Sequence, residues 1–62
     1  MDKLIAKIEK LDTKMIITIA REMNQDYSKN AGLVLDAALS VLEKRMEETA
    51  FIDFCEYLEY VA

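Results

Sequence analysis

Leu4, Ile5, Ile8, Leu11, Met15, Ile16, Ile19 and Met23 recur at intervals of three and four. At about 100° per residue they share one face, which predicts a single helix over residues 2–25 with Asp2 as its N-cap. Two acids, Asp12 and Glu22, intrude on that face. The alternative is a break at Asp12-Thr13, leaving a short first helix that ends near Leu11. The polar run "NQDYSKNAG" then interrupts the pattern and offers Ser28 or Asn30 as the cap of the next element. From residue 31 to about 47, Val34, Leu35, Ala38, Leu39, Leu42 and Met46 share a face, predicting a second helix antiparallel to the first.

The last apolar set is Ala50, Phe51, Phe54, Tyr57, Leu58 and Val61. Continued on the same wheel it is centred about 130° away from its predecessor. A shift that large predicts a bend, with Thr49 capping a separate helix over residues 50–61; the alternative is one long helix whose apolar surface winds around a partner. The expected fold is all-α: an antiparallel helical hairpin with a bent or separate C-terminal helix, forming one small domain over residues 1–62.

Size changes what this hairpin can do alone. With 62 residues the chain buries a smaller share of its surface than an ordinary domain. One cysteine and no histidine leave neither an internal disulfide nor a zinc site to compensate. Hydrophobic residues make up 53% of the chain, proline is absent and glycine occurs once, a composition for ordered helices rather than disorder. Association is the remaining route to stability, so a homodimer, pairing into a helical bundle, or an obligate partner is expected. No apolar run is long enough to span a bilayer, the first residues lack the apolar stretch of a secretory signal, and the unpaired thiol suits a reducing, cytoplasmic setting.

The net charge of −4 is unevenly placed. Residues 1–30 carry six Lys/Arg and five Asp/Glu, while residues 31–62 carry two and seven. Lys3, Lys7, Lys10, Lys14 and Arg21 follow one another at steps of four, three, four and seven, within about 60° of each other and opposite the apolar face. Ile17 fills the gap between the last two. Such a ridge can track phosphates, making RNA a candidate partner, or it can be the solvated face that any amphipathic helix needs. Asp36, Glu43 and Glu47 share a stripe of opposite sign that could meet the ridge across a dimer and set its register.

In length, loop position and its basic first helix the chain resembles the small plasmid RNA-modulator bundles. That resemblance implies two paired hairpins that read RNA with the first helix.

No catalytic constellation is visible. Cys55 has no histidine to activate it, and Glu56 beside it would raise its pKa, so it is expected to be an inert core residue. Glu47 and Glu48, or Glu56 and Glu59, are expected on solvated faces with no concave pocket for a small-molecule substrate. Asn24, Asp26, Ser28 and Asn30 alternate like calcium ligands, yet Lys29 stands where the tight glycine belongs and Leu35 where the bidentate glutamate belongs. No metal or cofactor is expected. Residues 51–62 hold four of the five aromatics. Phe51, Phe54, Tyr57, Leu58 and Tyr60 are the candidate protein interface, although Phe51, Phe54 and Leu58 could equally close the core of the chain's own fold. The expected function is non-enzymatic protein binding as a small acidic regulator, inhibitor or adaptor of the kind mobile elements encode. The alternatives are nucleic-acid binding through the five basic residues and a purely structural oligomerisation module.

Overall fold

The computed structural model describes residues 2–61, without the side chain of Asp2, so the cap expected there lies outside the described side chains. Four helices follow in order: α1 (Asp2–Glu9), α2 (Thr13–Asn24), α3 (Lys29–Arg45) and α4 (Glu48–Val61). The fold is all-α, as expected. The single helix over residues 2–25 is instead two. Asp12 is the reason: its backbone is extended and its carboxylate accepts the Met15 N–H at 2.8 Å, so this acid on the apolar face is the N-cap of α2. The straight two-helix hairpin implied by the RNA-modulator resemblance is therefore absent.

Of the two caps offered, Ser28 is the one used, its hydroxyl accepting from the Ala31 N–H at 3.2 Å, so α3 begins at Lys29 rather than at residue 31 and Asn30 lies inside its first turn. Met46 turns extended at ψ 152° and ends α3, and α4 begins at Glu48. The separate last helix is present, but Thr49, expected as its cap, lies inside its first turn.

Direction follows from long-range bonds. Arg45, at the end of α3, reaches Thr13 at the start of α2, while the other ends of these helices are joined by the short 25–28 connection. The two are thus antiparallel. The Asn24 side-chain amide, at the end of α2, donates to the Leu58 carbonyl near the end of α4 at 2.9 Å, so α4 runs back alongside in the direction of α2. Helix α3 is the shared wall on which the other three pack. That role explains why its buried Ala31, Ala37, Ala38, Val41 and Leu42, together with the half-buried Val34, Leu35, Leu39 and Met46, cover about 200° of its wheel, broader than the one face expected from periodicity. The paired alanines keep the wall thin enough for helices to approach on adjoining sides.

Ile8, Ile16, Ala20, Ala37, Ala38, Val41 and Leu42 form the core, with Phe51, Phe54 and Ile17 packed at its margin. The Cα envelope is only 28 × 27 × 16 Å, a slab too thin to enclose many large side chains. Ile16 and Leu42 are the largest that are fully buried. Met15, expected on the apolar face, is 49% exposed, and Ala50 is exposed as well.

The α1–α2 corner is pinned from outside. One guanidinium nitrogen of Arg45 donates to the Leu11 carbonyl at 2.8 Å and to Thr13 Oγ1 at 3.3 Å, while another donates to the Glu9 carbonyl at 2.5 Å. These carbonyls lie at and just beyond the C-terminus of α1, where acceptors lack intrahelical partners and the helix dipole favours a cation. Arg45, 34 and 36 positions along the chain from Leu11 and Glu9, supplies what local sequence does not.

Candidate functional site

Helix α4 presents three differently built sides. Its inner side holds Phe51, Phe54 and Leu58; Leu58 is 4% exposed and both phenylalanines pack on the core. Three of the five expected interface residues are thereby used in holding α4 to its own chain. Tyr57 and Tyr60 point elsewhere, at 41% and 89% exposure. Tyr60 shares the outer side with Asp53 and Glu56, all exposed.

Tyr57 lies at the edge toward α2. The Arg21 guanidinium sits 5.7 Å from its ring centroid, a cation–π contact that spans the two helices. Thr18, Arg21, Glu22 and Gln25 of α2 and Tyr57 and Val61 of α4 line an open groove of about 310 Å³ here. The Asn24–Leu58 hydrogen bond fixes the spacing of the helices beside it.

The basic ridge is reshaped by the corner at Asp12. Lys3 and Lys7 belong to α1, Lys10 to the turn after it, and Lys14 and Arg21 to α2. All five side chains are exposed, yet they do not form one helical stripe. Arg21 is engaged by Tyr57. Ile17, expected among the charges, is half-buried and packs at the core margin instead.

Cys55 is half-buried and unpaired. Burial pushes its thiol above the ordinary 9.0, and the carboxylates of Glu59 and then Glu43 push it further in the same direction. The rise expected from Glu56 comes from Glu59 and Glu43 because Glu56 is turned to the outer side, whereas Glu59 shares the thiol's edge of the helix. A thiol held protonated is a poor nucleophile. Among the described residues no group of three or more Cys, Asp or Glu side chains is placed to hold a metal ion, and no helix is long and apolar enough to cross a membrane.

Two features lay beyond sequence reasoning. Arg45 carried no signal because its acceptors are main-chain carbonyls. The Arg21–Tyr57 pair joins residues placed in separate candidate sites, one basic and one aromatic. Comparison with protein-family models, with curated proteins and with solved structures finds no match to this chain.

Proposed function

We propose that the chain is a non-enzymatic binding module that engages a basic protein surface through the outer side of α4, acting as a regulator, inhibitor or adaptor. The observation that carries this reading is the combination of Tyr60, 89% exposed, with Asp53 and Glu56 on one helical side. An exposed aromatic body with a polar tip suits the centre of an interface, and lysine or arginine from a partner would pair with both the carboxylates and the ring.

The placement of charge adds support. Glu56 stands in the C-terminal half of α4, where the helix dipole is already negative, and its last turn contains no basic residue. Acids there work against the helix unless a cation approaches from elsewhere. The test is affinity capture from lysate of the cells that make the protein, using the parent and a Tyr60→Ala/Glu56→Lys variant of equal helicity. A protein held by the parent and lost with the variant is expected; equal capture by both would remove the outer side of α4 from consideration.

A second reading assigns RNA to Lys3, Lys7, Lys10, Lys14 and Arg21, supported by the exposure of all five. The break at Asp12 and the Tyr57 contact of Arg21 leave it the weaker reading. A gel-shift series with Lys7, Lys10 and Lys14 changed to Glu decides it, since phosphate contacts weaken steeply with salt and with loss of positive charge. A purely structural oligomerisation module is the third reading, and its distinguishing property is self-association without any other bound protein.

A further inference from the structure

The edge of α4 turned toward α3 is built differently from its outer side. Glu48, Ile52, Cys55 and Glu59 follow at steps of four, three and four residues and so share one edge. Glu43 of α3 stands across from them. With Glu48 it walls an open trough of about 440 Å³ that is completed by Phe51 and Ile52. Glu43 and Glu59 both lie near enough to Cys55 to influence its thiol, which places a third carboxylate along the same strip. Ile52 is 48% exposed between these acids, and no basic residue lines the trough. Three carboxylates from two helices around an exposed aliphatic residue form a surface complementary to an amphipathic basic segment.

The chain carries such a segment. Lys3 and Lys7 of α1 and Lys10 just after it are exposed at steps of four and three, with the exposed, small Ala6 among them. Lysine stems and an alanine can cover an aliphatic side chain while the ammonium groups reach outward to carboxylates.

We propose that a second copy of this chain occupies the trough, with its Lys3, Lys7 and Lys10 set against Glu43, Glu48 and Glu59 and its Ala6 over Ile52. Each copy carries both the acidic trough and the basic segment; a two-fold axis closes two such contacts into a dimer, whereas the same pairing without that axis would run head to tail into larger assemblies. The outer side of α4 remains free in this arrangement. The inference therefore does not depend on the Tyr60 surface.

Mass in solution, measured on the full chain by sedimentation equilibrium over about 1–200 μM, tests it. A dimer is expected, with a dissociation constant at least about tenfold higher in 500 mM than in 50 mM salt, since exposed charge pairs are screened. Two triple variants follow, Glu43→Lys/Glu48→Lys/Glu59→Lys and Lys3→Glu/Lys7→Glu/Lys10→Glu, each checked for helicity by circular dichroism. Each alone should be monomeric, and an equimolar mixture should recover the dimer. Should a triple variant not fold, alkylation of Cys55 in the unaltered chain decides, with the rate expected to fall at least about threefold between dilute monomer and concentrated dimer. A monomer at every concentration overturns the proposal. So does a dimer indifferent to salt, a mixture of folded variants that stays monomeric, a Cys55 rate independent of concentration, or loss of the dimer in Tyr60→Ala.

Discussion

Replacing Arg45 by methionine keeps the aliphatic stem and removes the guanidinium that holds the α1–α2 corner. Three hydrogen bonds are lost, two of them to carbonyls at the end of α1. A bond to a charged donor contributes about 1.5–3 kcal/mol when shielded, but Arg45 is exposed and water can replace part of each interaction. The loss of a favourable charge at a helix C-terminus adds about 0.3–1 kcal/mol. A total near 2 kcal/mol is a large share of the roughly 3–9 kcal/mol available to a 62-residue chain. Thermal unfolding followed by circular dichroism should show a midpoint lower by about 8–16 °C. Arg45→Lys restores a charge without the planar fork that spans Glu9, Leu11 and Thr13, so it should recover only part of the loss. Amide exchange should quicken first at Lys10 and Leu11, whose N–H groups close the last turn of α1 on Lys7 and Ile8. A methionine variant melting within about 2 °C of the parent, or a lysine variant indistinguishable from it, would refute the pinned corner.

Three other outcomes follow from the same geometry. Asp12→Ala removes the carboxylate that accepts the Met15 N–H and should lower stability by about 1 kcal/mol in urea unfolding, with helix content reduced mainly around residues 10–15. Gly32→Ala should raise stability by about 0.5–1 kcal/mol, because Gly32 sits in α3 without a positive φ and an added Cβ meets nothing within 4 Å. The raised thiol of Cys55 predicts slow alkylation at neutral pH and acceleration in Glu43→Gln or Glu59→Gln. Because folding raises that pKa, its contribution to stability is complete below the unfolded value near 9.0 and is lost as pH rises through the folded value. Urea titrations of the parent and Cys55→Ala across that range should diverge in this direction.

The helical class, the Ser28 cap and the separate last helix were legible because each is written locally, in spacing or in one capping side chain. The break at Asp12 was legible as an anomaly, a carboxylate on an apolar face, whose meaning depended on whether its backbone turned extended. Ala37 and Val41 were missed because periodicity assumes one buried face, whereas α3 packs against helices on more than one side. Ile17 looked exposed only while α1 and α2 were taken as continuous and nothing covered that side. In the candidate site, the aromatic load of residues 51–62 was plain, but its division between core and surface required the docked position of α4. Arg45 could not have been found: its role lies in carbonyls brought near by the fold.

Site-specific photocrosslinking from position 60, in the cells that make the protein, tests the protein-binding reading most directly. A discrete heavier adduct is expected from position 60, absent when the same group is placed at Ser40 on the exposed side of α3 and lost when Asp53 and Glu56 are changed to Lys. No adduct from position 60, or one indifferent to those charges, would contradict the assignment of the outer side of α4 as the binding surface.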